Sequence, residues 1–144
     1  MVTSPNYPGN YPYGRMEKIQ TVLVDQGLLL SLEITAFDIA RVPSKSTCKW
    51  WDYLTITDGD GTTLLEKSCG SLSDGNILIG SHSVGSSLPA NITSRTNLIN
   101  LVFKTSSTNL YPKSGWRVRW TAVAQGECQQ RVFIHYSQRL SFLT

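Results

Sequence analysis

The residues of this chain with the widest chemical reach are three cysteines, Cys48, Cys69 and Cys128. Zinc sites draw their ligands from close pairs of cysteines or histidines. Cys48 and Cys69 lie far apart in sequence and neither has such a companion. A disulfide or two buried thiols remain open on spacing alone, and Cys128 is left over either way. His82 and His135 are the only histidines. Neither is accompanied by a Gly-x-Ser-x-Gly elbow or a His-Glu-x-x-His pair, so nucleophilic and metalloprotease chemistry lack their apparatus. Gly80-Ser81-His82-Ser83 reads as a polar surface loop. No Gly-rich loop opens a helix, which leaves nucleotide binding without a motif. Catalysis is not expected.

Acidic residues suggest metal binding at first sight. Asp58-Gly59-Asp60-Gly61 begins like a calcium loop, but Thr62 and Thr63 stand where a ligand Asp or Asn and the obligatory Gly belong. No Glu closes that loop at the twelfth position. A hairpin turn accounts for the run better. Trp50 and Trp51 are adjacent; in a strand they point to opposite sides, which exposes one of them as a binding hot spot. Asp52 and Tyr53 continue the same candidate surface. Asn91-Ile92-Thr93 is the only glycosylation sequon, so Asn91 is the candidate acceptor in a secreted protein.

These residues need a scaffold, and the pattern around them is that of strands. Leu28, Leu30, Leu32, Ile34 and Ala36 share one face of a segment running to Phe37, opposite Ser31, Glu33 and Thr35. Leu54 and Ile56 alternate with threonines. Ile99, Leu101 and Phe103 alternate with Asn100 and Lys104, and Trp116, Val118, Trp120 and Ala122 with Arg117, Arg119 and Thr121. Period-two alternation of this kind marks half-buried strands. Shorter strands are expected at 20–24, 62–67, 77–79 and 88–93, and a surface loop at 78–87. Turn signals separate them, among them Asp25-Gln26-Gly27 and Ser73-Asp74-Gly75-Asn76. No segment holds a 3.6-residue period. Roughly seven or eight short strands predict an all-β, two-sheet antiparallel sandwich.

Composition agrees with one such domain. A chain of 144 residues buries about two thirds of its surface on folding. Four tryptophans and a 40% hydrophobic share exclude disorder. Charged residues make up only 16% and the net charge is +3, too small and scattered for a nucleic-acid partner. No stretch is long enough to span a bilayer, and no apolar leader precedes the proline-rich start. A fragment of a longer secreted chain is the expectation.

Two runs carry a family resemblance. Ser4-Pro5-Asn6-Tyr7-Pro8-Gly9-Asn10-Tyr11-Pro12 opens the chain, and Cys48-Lys49-Trp50-Trp51-Asp52-Tyr53-Leu54 with Cys69-Gly70 lies in its middle. Together they resemble the CUB domain, an extracellular jelly-roll binding module, over roughly residues 3–123. The resemblance implies a Cys48–Cys69 disulfide. The family's usual first bridge would place its later cysteine near Glu17 or Lys18, so this is a diverged copy without it. Cys128 then pairs with another chain or stays unpaired.

Many members of the family bind calcium through three carboxylates. Ala40 and Ser106 occupy two of those places and Asp52 the third. One acid does not offset the desolvation of a divalent cation; no cofactor is expected, and calcium only if Asp38 substitutes. The domain is expected to span residues 1–125, with 126–144 a tail containing a short strand at Val132-Phe133-Ile134. The implied function is non-catalytic recognition of an extracellular protein partner, without membrane insertion. Alternatives are a non-catalytic appendage of an extracellular metalloprotease or serine protease, and a carbohydrate-binding sandwich in which Trp50, Trp51 and Trp116 stack on sugars.

Overall fold

The computed structural model of the protein describes residues 1–106 and 112–125, together with the backbone of 140–143. Cys128 and the strand expected at 132–134 lie outside the described residues. The chain forms β1 (Val2–Thr3), β2 (Met16–Val24), β3 (Leu28–Ile39), β4 (Tyr53–Asp58), β5 (Thr63–Ser71), β6 (Ile77–Ile79), β7 (His82–Gly85), β8 (Ile92–Thr93), β9 (Leu98–Thr105), β10 (Gly115–Ala124) and β11 (Leu140–Leu143). A single 3-10 turn, Cys48–Trp50, is the one helical element among the described residues. No helix among them is long and apolar enough to cross a membrane.

Every pairing is antiparallel, and the strands form two layers. One holds β1-β10-β3 with β8 beside β3. The other runs β11-β2-β9-β4-β5-β6-β7. This is the expected antiparallel jelly-roll sandwich. β5 joins the layers: Leu65 and Ser68 pair with β4, whereas Gly70 and Ser71 pair with Ile39 and Asp38 of β3. Gly70 marks the crossing, with φ of 99°.

The core fills the space between the sheets. Leu30, Leu32, Ile39, Trp116, Val118 and Ala122 face Val22, Leu54, Ile56, Ile99, Leu101 and Phe103, all at most 1% exposed. Burying one such large apolar side chain stabilises the fold by about 1.5–3 kcal/mol. Tyr11 packs edge-on against Phe103 at 5.0 Å, and Phe103 edge-on against Trp116 at 5.9 Å. The proline-rich start is thereby drawn across one end of the sandwich. The Ser4 amide donates to the Trp116 carbonyl and the Tyr11 amide to that of Lys113.

Two expectations need correction. The inward face of β3 does not run unbroken through Ile34 and Ala36. Val118 pairs with Ile34 but Arg117 pairs with Ala36, which leaves Thr35 as an extra residue. A bulge shifts the side-chain phase by one, so Phe37 and Ile39 point inward while Ala36 is only partly buried. The stretch 78–87 is not a plain loop either. Ile79 pairs with His82 and Leu78 with Ser83 in a small hairpin. Strands of three and four residues carry too few alternating positions to register as a pattern.

Candidate functional site

The 3-10 turn is locked onto β5 by a disulfide between Cys48 and Cys69, whose Cα atoms are 5.7 Å apart. This is the expected bridge, although Cys69 lies within β5 rather than after it. The Trp51 amide closes the turn on the Cys48 carbonyl. Trp50 and Trp51 therefore do not alternate as strand neighbours. The turn itself presents Trp50, which is 59% exposed, while Trp51 is half-buried. The ammonium groups of Lys45 and Lys49 each lie 5.0 Å from the Trp50 ring centroid. Lys67 sits 5.1 Å from that of Tyr53.

Asp52 and Tyr53 do not belong to this surface, and their placement there is corrected. Asp52 is fully buried and Tyr53 is 9% exposed, because both begin the run that turns into the core as β4. One Asp52 carboxylate oxygen accepts a 2.6 Å hydrogen bond from the Tyr11 hydroxyl, and the other accepts the Ser106 amide at 2.8 Å. Tyr11 in turn accepts the Ala40 amide at 3.1 Å. Two segments distant in sequence meet on the Asp52 carboxylate, and a third, at Ala40, reaches it through Tyr11. Tyr11 escaped the sequence reading because nothing local links an Asn-Tyr-Pro turn to an aspartate 41 positions away. The lysines around Trp50 escaped it too, although Lys49 beside Trp50 was a usable signal.

The same geometry tests the calcium expectation. Calcium takes about six to eight oxygens, several of them carboxylate. Here Asp52 alone supplies a carboxylate, already engaged by N–H and O–H donors, and Ala40 supplies no side-chain oxygen. Asp38 does not complete the set: its carboxylate accepts the Ser114 amide and hydroxyl and lies 3.6 Å from the Lys113 ammonium. No three His, Cys, Asp or Glu residues converge among the described residues. The residues present do not fit the ion.

The Asp58-Gly59-Asp60-Gly61 run is the β4–β5 hairpin turn. Buried Asp58 accepts the Arg95 and Gly59 amides and the Thr96 hydroxyl, so it staples two loops. Asn91 is exposed and His82 lies on the surface. Trp116 is 1% exposed, which removes it from the sugar-stacking set of Trp50, Trp51 and Trp116.

Burial raises the Asp52 carboxyl above the ordinary carboxylate value, against its hydrogen bonds from Tyr11 and Ser106, which lower it. Burial and the neighbouring Asp52 charge likewise push the Tyr11 hydroxyl far up, so it stays a donor. For a carboxyl whose folded value is raised, the stabilising contribution is fully present below the unfolded value near 3.9. It is lost as pH rises through the folded value. Raising the pH from acid to neutral should therefore lower the stability of the native protein relative to Asp52→Asn, which does not titrate. Urea denaturation of both proteins across that range checks the sign, and a native stability that rises with pH relative to Asp52→Asn would contradict it.

Comparison with known proteins places these features. Residues 1–120 match the CUB domain family. Cubilin of Sus scrofa and cubilin of Homo sapiens are each 34% identical over 121 residues, covering 82% of this chain. The chain spans about 3% of the length of these curated relatives. Among solved structures, the CUB1-EGF-CUB2 domain of human MASP-1/3 superposes with a TM-score of 0.69 at 20% identity, over 90% of this chain and 43% of that one. The MASP-1 CUB2 domain bound to Ca2+ superposes with a TM-score of 0.57 at 23% identity, over 83% of this chain and 88% of that one. These structural likenesses speak to the fold.

Proposed function

The chain belongs to the CUB domain family, and from that premise we propose a non-catalytic extracellular module that recognises a protein partner without calcium. The observation that carries this reading is the 59% exposure of Trp50 on a turn held to the sheet by the Cys48–Cys69 bridge. A large aromatic kept out of the core gains by burying its area against a partner, and tryptophan leads the residues that dominate protein interfaces. Because the turn is tied down, little ordering entropy opposes association. Calcium-independence follows from the Asp52 carboxylate being held by Tyr11 and Ser106. Exposed Asn91 is the acceptor for an N-linked glycan in this setting.

A module of this kind would position a partner, or a substrate for a metalloprotease or serine protease elsewhere in the same chain, rather than cut it. The carbohydrate reading is weaker because a sugar platform needs several exposed rings together, and of the three tryptophans proposed for it Trp116 is in the core and Trp51 is half-buried. The test uses the domain made by secreting cells, where an endoglycosidase-dependent mass shift also reports on Asn91. Crosslinked capture of extracellular proteins by wild type and Trp50→Ala, with and without EDTA, is compared with a glycan array. Trp50→Ala is expected to weaken capture by about 30-fold, the value of a hot-spot residue, and EDTA to leave it unchanged. Capture indifferent to Trp50, capture abolished by EDTA, or glycan binding in its place would each overturn the reading.

A further inference from the structure

We infer that the surface around Trp50 takes an acidic segment of a partner protein, a stretch rich in Asp and Glu. The inference rests on the recognition reading above and assigns the chemistry of its partner. Lys45, Lys49 and Lys67 make no ion pair among the described residues. Lys104, Lys113 and Arg119, by contrast, are paired with Glu17, with Asp38 and Asp74, and with Glu33. Two of the free cations share one indole ring. Ammonium groups held against the same ring repel each other, and a carboxylate between them removes that cost while keeping both cation–π contacts.

Beside the turn that carries Trp50, the surface dips into an open depression of about 400 Å³ lined by Cys48, Lys49 and Lys67 among others. Its lining includes the hydroxyl residues Thr47, Thr55 and Ser81, and Glu66 is its only acid. The Thr47 and Thr55 hydroxyl oxygens are buried beneath the surface, whereas Ser81 is exposed and offers its hydroxyl as a donor to a carboxylate that enters. Two lysines and an exposed hydroxyl, with the Trp50 ring on the adjoining turn, thus suit a short acidic peptide.

A protein segment fits better than a sulfated polysaccharide. A polyanionic chain needs a continuous basic track; among the described residues the next cation along this sheet, Lys104 opposite Tyr53, is already paired with Glu17. Arg117 and Arg119 lie on β10 in the other sheet, Arg117 over the Tyr7 ring and Arg119 against Glu33. Two lysines on one exposed tryptophan, with Lys67 across the depression, make a compact anchor, with the aromatic supplying affinity and the charges register and approach rate.

The probe is a fluorescein-labelled poly-glutamate peptide, titrated into the full chain beside a poly-glutamine peptide and a heparin oligosaccharide. Saturable binding of poly-glutamate is expected, weakening as salt screens the lysines. It should shift the Trp50 indole N–H resonance and be reduced at least about tenfold in Lys45→Gln/Lys49→Gln/Lys67→Gln. The salt dependence and the indole shift are read on the native chain, so they decide the matter even if the triple variant folds poorly. Absence of poly-glutamate binding, binding indifferent to salt, equal binding of poly-glutamine, or heparin binding more tightly at the same resonances would each overturn the acidic-segment assignment. Those results, alongside partner capture that still depends on Trp50, overturn the assignment alone; capture indifferent to Trp50→Ala overturns the recognition reading beneath it.

Discussion

Gly70→Ala is expected to lower the free energy of unfolding by about 3–5 kcal/mol, combining left-handed backbone strain with overpacking. Gly70 is where β5 leaves β4 and joins β3, and it makes that step with φ of 99°. A side chain there would meet the Asn76 carbonyl oxygen at 2.6 Å and the Ile77 Cα at 2.7 Å. Both are backbone atoms, so no rotamer change relieves the contact. The Asn76–Ile77 segment is itself pinned, because the Asn76 side chain accepts the Ser71 amide and its carbonyl accepts Arg41. Movement there would disturb Cys69 and Leu78, which pair across β5 and β6. Measured against a total stability of about 5–15 kcal/mol for a domain of ordinary size, this change removes a large share of the margin that keeps the domain folded. Urea denaturation followed by circular dichroism measures it; a loss below about 1 kcal/mol, the level of ordinary substitutions, would show that the crossing yields more readily than its contacts imply.

Removing the disulfide in Cys48→Ala/Cys69→Ala should cost about 3 kcal/mol, the chain-entropy value for a loop of this size, where the bonded residues are 21 apart in sequence. The melting temperature should fall by roughly 10 °C. Beyond the entropy of the unfolded chain, both cysteines are buried members of the core, and the bridge is what fastens the Trp50 turn to β5. The stability loss should therefore come with a local change: the Trp50 indole resonance should broaden or move toward its position in an unfolded chain, while Trp116 in the core keeps its native shift. Thermal denaturation and a two-dimensional nitrogen–proton spectrum report the two effects separately. An unchanged Trp50 signal would mean that the backbone of the turn, through the Trp51 amide and Cys48 carbonyl, is sufficient to hold it.

What the sequence determined by itself was the scaffold. The alternation through Ile99, Leu101 and Phe103 and through Trp116, Val118 and Ala122 already contains the two inward faces, since a strand has only two sides and one of them must be apolar to form a core. The cysteines around Trp50, with the family they resemble, were enough for the bridge, and the residues at 40 and 106 were enough to doubt the calcium site. What only the tertiary structure decided was everything that depends on pairing between distant segments. The bulge at Thr35 that turns Phe37 inward exists only against Arg117 and Val118 of β10. Asp52 became a buried anchor because Tyr11, Ala40 and Ser106 converge on one end of the sandwich. The lysines around Trp50 became a single basic surface because a disulfide brings Lys49 to the strand that carries Lys67. Local patterning reports which side of an element is buried, whereas charge and hydrogen-bond partners are set by neighbours that a linear reading does not contain.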